Sequence, residues 1–284
     1  MKRIMIVPNP NKDSRLDVTK STISKLVGIG FTVNMDKSYS KYDISSVNYL
    51  DDPASESDLI IVIGGDGSVI DASTCAVEVD IPILGINLGK VGYLSEVEPN
   101  EIGVLSKIAS GEYKIVERML LSAEKYTCDG VATCSSRLAV NDVIISNDVC
   151  SIAELAVENG QGDLIKYRAD GVVVATPIGS TAYSLSAGGP VVSHNIDSII
   201  VTPVCPHSLF NRSIIFEPGE FIRVTNKSET DLTVGMDGRS FTKLAYGECV
   251  VIKRSEKRLK MLTFTENKML SALFKKIRAL EESV

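Results

Sequence analysis

The stretch Leu59-Ile60-Ile61-Val62-Ile63-Gly64-Gly65-Asp66-Gly67-Ser68 constrains this chain more than any other. Five apolar residues, mostly β-branched, read as a strand buried on both faces, as in a parallel sheet. Three glycines around one carboxylate then interrupt the run. After them Val69, Ile70, Ser73, Ala76 and Val77 recur at helical spacing. A strand, a glycine turn and a helix N-terminus together favour an anion, because glycine lets backbone N–H groups come close to a phosphate. Asp66 does not fit that role, since a carboxylate repels phosphate. It either holds a metal ion, accepts a proton from a hydroxyl, or stands near the helix N-cap of an ordinary strand-to-helix turn.

The surrounding chain supplies a sheet for this strand. Arg3–Val7 reads as an opening strand that ends at Pro8-Asn9-Pro10-Asn11, either a plain turn or a nucleotide-side loop at a strand's carboxyl end. Leu16, Thr19, Ile23, Leu26 and Val27 form a helical stripe stopped by Gly28 and Gly30. Phe31, Val33 and Met35 alternate as a strand, and residues 37–57 read as a polar loop or short helix. With Ile81–Asn87 the order becomes β-α-β-β-α-β, a Rossmann-like sheet. Asn87-Leu88-Gly89-Lys90-Val91-Gly92-Tyr93-Leu94 is a second glycine-spaced loop, in which Tyr93 either covers a ring or is buried. Residues 100–113 read as a helix with Leu105 and Ile108 on one face.

From Arg118 short strands with turn signals follow: Met119–Lys125, Ser136–Ser146, Ile152–Asn159, Asp163–Arg168 and Gly171–Ala175. Phe221–Thr225, Asp231–Met236 and Cys249–Arg254 continue them, with Asp237-Gly238 as a tight hairpin turn. The fold class is therefore α/β plus all-β, a Rossmann-like N-terminal domain and a C-terminal β-sandwich-like domain, divided near Glu117. Asn141-Asp142 lies inside a strand pattern, where two polar groups need partners. Thr176-Pro177-Ile178-Gly179-Ser180-Thr181 reads as a turn into a short helix that is started by a hydroxyl and offers hydroxyls to a polar ligand. Thr202–Leu209 carries prolines, which mark a structural turn in which His207 orients backbone. Met269, Leu270, Leu273, Phe274, Ile277 and Leu280 make an apolar stripe, so 265–284 is expected to be a helix that crosses back onto the first domain.

Gly64-Gly65-Asp66-Gly67 resembles the GGDG signature of the NAD kinase family. Phosphofructokinases and diacylglycerol or sphingosine kinases share related turns, but Asp170–Pro190 and Thr202–Arg212 resemble NAD kinases more closely. The resemblance implies a phosphotransferase that moves a phosphoryl group from ATP, or polyphosphate, to the adenosine-ribose 2′-hydroxyl of NAD, giving NADP. It implies that residues 1–117 form the phosphate-donor domain, with Gly64, Gly65, Gly67 and Asn9 at the donor and Asp66 catalytic. Residues 118–264 become the NAD-binding domain. NAD contacts then fall to Asp66, Gly67, Tyr93, Asn141, Asp142, Arg168, Asp170, Thr181, Ala182, Tyr183 and Ser186. Asp142 stands where the family carries Glu, one methylene longer. Mg²⁺ or another divalent cation is implied with unassigned ligands, as is a homo-oligomer, dimer or tetramer, with sites completed between subunits. A lipid or sugar kinase of the same superfamily and a non-catalytic NAD-binding regulator are the alternatives.

Composition narrows the partners. The 284 residues are 44% hydrophobic and 23% charged, as in a globular enzyme. A net charge of −6 argues against nucleic acid as the main partner. No run reaches the length of a membrane span, and Met1-Lys2-Arg3 leads straight into a strand without a signal peptide. Cys75, Cys128, Cys134, Cys150, Cys205 and Cys249 are scattered without a CxxC, and two histidines make zinc a poor fit. Reduced thiols in the cytoplasm are the expectation.

Overall fold

The structure, a computed structural model, describes residues 1–89, 92–133, 135–147, 151–207, 211–265 and 274. Two compact units emerge: Met1–Glu117 together with the chain from Leu259, and Arg118–Arg258. The first unit holds β1 (Arg3–Pro8), α1 (Asp17–Ile29), β2 (Thr32–Asp36), β3 (Asn48–Leu50), β4 (Leu59–Gly64), α2 (Asp66–Glu78), β5 (Ile83–Asn87) and α3 (Ser106–Ser110). Its strands run parallel in the order β3-β2-β1-β4-β5, and Met261 pairs with Ile83 beyond β5. β4 is the strand that the opening stretch demands, with Leu59 to Ile63 fully buried. Each such side chain contributes about 1.5–3 kcal/mol by leaving water. α1 ends at Gly30, whose φ of 104° lets its N–H reach back to Leu26 and Val27. Gly28 lies inside the helix rather than stopping it.

Two segments differ from expectation. In residues 37–57 the short helix is a 3-10 turn at Lys37–Tyr42, but the loop beyond it also holds β3, a short parallel edge strand. Between 99 and 113 a 3-10 stretch, Pro99–Leu105, precedes the five-residue α3. Leu105 and Ile108 are buried all the same. The expected helix at 265–284 lies outside the described residues apart from Thr265 and Phe274.

The second unit contains β6 (Lys114–Tyr126), which enters the unit at Arg118, β7 (Arg137–Ala139), β8 (Asp142–Ser146), β9 (Ala153–Asn159), β10 (Leu164–Ala169), β11 (Gly171–Ala175), α4 (Tyr183–Ser186), β12 (Ile199–Val204), β13 (Ile214–Phe216), β14 (Phe221–Asn226), β15 (Leu232–Met236), β16 (Arg239–Leu244) and β17 (Cys249–Thr263), which leaves the unit at Arg258. One antiparallel sheet runs β13-β12-β11-β8-β15-β16. The other is built on β10-β9-β14-β17, with β6 pairing β17 and β7. Leu121, Leu155, Val157 and Tyr167 from one sheet share a core with Val143, Ile145, Val172 and Val174 from the other, a sandwich packing. Thr202-Pro203-Val204 belongs to β12 rather than to a turn. The single strand expected over Ser136–Ser146 is two: β7 pairs in one sheet and β8 in the other, with Val140-Asn141 as the crossing.

Candidate functional site

In the first unit the strand order reverses between β1 and β4, the position where open α/β sheets bind ligands beyond the carboxyl ends of strands. Asn9 leaves β1 there. Its N–H bonds the Ile63 carbonyl at 2.9 Å, its Nδ2 donates to Ser68 Oγ at 2.8 Å, and its Oδ1 accepts from the Asn11 N–H at 3.1 Å. Asn9 thus ties the exit of β1 to the first turn of α2. Gly64 is required sterically, because a Cβ there would stand 2.5 Å from Ser68 Oγ. At Gly65 a Cβ would fall on Lys12 Nζ, so the ammonium lies across the glycine turn. Gly67 meets nothing within 4 Å and is exposed.

Asp66 is the first residue of α2, and Gly65 occupies the N-cap. Its carboxylate turns away from the helix to the second glycine loop, where Oδ2 accepts the Tyr93 N–H at 2.9 Å and Oδ1 the Leu94 N–H at 3.1 Å. The helix-cap reading of Asp66 therefore gives way to a loop tether. Tyr93 is half-buried, and burial first, then the Asp66 charge, pushes its phenol up. The result is a turn with an ammonium, a helix N-terminus and a single carboxylate, suited to anionic groups beside a hydroxyl that must lose a proton.

In the second unit the crossing at Val140–Asp142 is held from three sides. Thr176 Oγ1 donates to the Val140 carbonyl at 2.6 Å, and the Thr176 N–H donates to the Asn141 carbonyl at 2.8 Å. Gly179 packs directly on the Asn141 backbone, where no Cβ would fit. The Asp237 carboxylate accepts the N–H groups of Val140, Asn141 and Asp142 at 2.8, 2.7 and 3.2 Å. Asp142 is 5% exposed, and its pKa is pushed up to about 7 by burial and then by the Asp237 charge, offset in part by the Tyr183 N–H. Burial likewise raises Asp237, against its backbone N–H donors.

Asn141, Asp142, Ala182 and Tyr183 thus gather at one end of β11, with Tyr183 43% exposed and Ser186 exposed one helical turn on. Thr181 is buried and turns its hydroxyl back to the Ile178 carbonyl at 3.0 Å. Ser180 bonds the Pro177 carbonyl, and Ser184 meets Thr202 Oγ1. The Ser180, Thr181 and Ser184 hydroxyls are thus spent inside the unit, and none caps α4. Asp170, just before β11, and Arg168, near the end of β10, are exposed at the opposite end of β11, where Asp170 lies roughly 17 Å along the strand from Asp142 at its usual rise. The backbone N–H of His207 bonds the Arg168 carbonyl at 2.7 Å.

Sequence reading missed Lys12 and Asp237. Lys12 carried one faint signal, a cation in the loop that follows a parallel strand. Asp237 looked like nothing more than a hairpin residue, because its partners lie 95 to 97 positions away.

Residues 4–113 match the family model described as the ATP-NAD kinase N-terminal domain, and 140–264 match the ATP-NAD kinase C-terminal domain. The NAD kinase of Thermoanaerobacter pseudethanolicus is 39% identical over 264 residues, covering 90% of this chain and 91% of the relative. That of Acetivibrio thermocellus is 33% identical over 290 residues and covers both chains completely. Among solved structures, yeast NADH kinase complexed with NADH superposes with a TM-score of 0.87 at 24% identity, covering 96% of this chain and 86% of that one. An NAD kinase from Archaeoglobus fulgidus in complex with ATP gives 0.72 at 22% identity, covering 97% and 98%. These last two speak to the fold. The family matches span the glycine turn of one unit and the clamped Asn141-Asp142 crossing of the other, and on that footing the chain belongs to the NAD kinase family.

Proposed function

We propose that this chain transfers the terminal phosphoryl group of ATP to the adenosine-ribose 2′-hydroxyl of NAD, giving NADP and ADP. The observation that carries the reading is that similarity to NAD kinases runs through both units, at 39% identity to a curated relative. Gly64, Gly65, Gly67 and the start of α2 receive the donor phosphates, with Asn9 fixing the turn and Lys12 adding charge. Asp66 orients or deprotonates the acceptor hydroxyl. Each of its oxygens has a second lone pair beside the loop N–H, so it can accept from a hydroxyl without releasing Tyr93 and Leu94. The proton passes to Asp66 as the ribose oxygen bonds phosphorus and the bond to ADP breaks.

Asn141 and Asp142 hold the acceptor ribose, and Tyr183 and Ser186 offer their exposed groups beside it. Arg168 and Asp170, at the far end of β11, serve an acceptor bound with a second copy of the chain, which is the role a homo-oligomer would give them. Among the described residues no three His, Cys, Asp or Glu side chains gather into a metal-holding group. A divalent cation would be carried by the donor phosphates and water, or by Asp66 where that carboxylate does not serve as the base. Such a cation offsets phosphate charge. Among the described residues no helix is long and apolar enough to cross a membrane. Cys75, Cys128, Cys205 and Cys249 are free thiols, which suits a reducing compartment.

Purified protein incubated with NAD, Mg²⁺ and either ATP or polyphosphate is expected to form NADP only when both donor and cation are present. Phosphorylation of a lipid or sugar with NAD left untouched would overturn the reading.

A further inference from the structure

We propose that Asp237 is a positioning residue for the acceptor, setting Asn141 and Asp142 through the backbone N–H groups of the crossing between the two sheets. This rests on the reading of Asn141 and Asp142 as the acceptor grip. Val140 and Asn141 leave one sheet before Asp142 enters the other, so their N–H groups have no ladder partners. Asp237 Oδ2 accepts from Val140, while Oδ1 accepts from both Asn141 and Asp142. The Asp237 N–H in turn donates to the Asp142 carbonyl at 3.1 Å.

The hairpin makes this reach possible. Asp237 and Gly238 have φ of 49° and 77°, the pair of left-handed residues that a tight two-residue turn between β15 and β16 requires. That turn bends the carboxylate back onto the crossing, whose carbonyls are held from the other side by Thr176.

The arrangement is costly as pure scaffolding. It sets one largely buried carboxylate beside another, Asp142, and like charges in such a place disfavour each other. A neutral acceptor would avoid that repulsion, but an amide has one oxygen and cannot take three N–H groups. The carboxylate fixes all three, and with them the directions in which the Asn141 and Asp142 side chains leave the backbone.

Two variants, Asp237→Ala and Asp237→Asn, test this with NAD calorimetry and steady-state kinetics in both substrates. Asn keeps an acceptor for Asn141 and Asp142 but turns an N–H group toward Val140. Expected is an NAD affinity weakened about tenfold in Asp237→Asn and about a hundredfold in Asp237→Ala, with KM for ATP unmoved within about twofold. A folded Asp237→Ala with wild-type NAD affinity overturns the inference, as does a parallel rise of both KM values, which would mark a general loss of structure. Should Asp237→Ala fail to fold, Asp237→Asn decides by the same split. Wild-type protein that binds no NAD would overturn the acceptor reading and this inference with it, whereas wild-type binding that neither variant alters overturns this inference alone.

Discussion

Two demands meet on the Asp66 carboxylate: it tethers the loop at Tyr93 and Leu94, and in the proposed reaction it takes the acceptor's proton. Asp66→Asn separates them. The amide oxygen keeps one loop N–H, its NH₂ faces the other, and it cannot accept a proton. Melting is therefore expected a few degrees below wild type, the scale of one lost hydrogen bond. NAD affinity should stay close to wild type, because the proposed acceptor grip of Asn141 and Asp142 is on other residues. Turnover should fall at least ~100-fold, the scale for a lost general base. Calorimetric NAD titration beside a single-turnover assay reads both, and near-normal turnover would leave Asp66 with the tether alone. Asp142 makes a pH prediction. Its folded pKa, pushed up to about 7, lies above the unfolded carboxylate value, so its contribution is fully present below pH ~4 and is lost as pH rises through ~7. His194, pushed down to about 4 by burial and then by Arg118, titrates in the opposite sense, so wild type alone would hide the effect. Against Asp142→Asn, wild type should lose on the order of 2 kcal/mol between pH 5 and pH 8 in urea unfolding. Parallel stability profiles would show that Asp142 is not held neutral.

Elements whose reason is local were legible in the sequence. β4 and α2 declare themselves through a buried β-branched run, a glycine turn and helical spacing, and the Asp237-Gly238 hairpin through its dipeptide. What was not legible is decided by partners far along the chain. The apolar runs Leu138–Val140 and Val143–Ile145 are parted only by Asn141-Asp142, a polar pair that asks for partners without saying that one strand becomes two. The break exists because Asp237 takes the N–H groups there and Thr176 the carbonyls, from 35 to 97 positions away. The same cause hid the fate of the Ser180, Thr181 and Ser184 hydroxyls. A Ser/Thr-rich turn looks ligand-facing until Val192 and Thr202 arrive to consume two of them. β3, β13 and the 3-10 stretch at Pro99–Leu105 are too short to establish a period in the sequence. The candidate residues were thus easier to name than to group: resemblance picked them one by one, while Arg168 and Asp170 parted from Asn141 only once β11 was laid out.

At the scale of the molecule the two units differ in how they use the chain. The second is continuous, and its core, from Met119 to Ile252, draws only on residues between 118 and 258. The first is completed from the far end of the sequence. Leu259 and Leu262 are buried, Leu262 joins the core of Ile61, Ile63, Leu84 and Ile86, and Met261 pairs alongside Ile83. The Phe264 N–H also bonds Glu96 Oε1 at 3.0 Å. A fragment 1–117 therefore loses the strand beyond β5, leaving that edge unpaired and its apolar side chains uncovered. A fragment 118–258 keeps every core residue it needs. Expected is a cooperative urea transition for 118–258 and none for 1–117. In the full chain, Leu262→Ala should destabilise the first unit by about 2–5 kcal/mol, the range for truncating a buried leucine. Hydrogen exchange resolves the units: protection should fall across β4 and β5 while β11 and β14 keep theirs. A fragment 1–117 that unfolds as cooperatively as the full chain, or exchange that rises equally in both units, would mean that the returning strand adds length rather than closure.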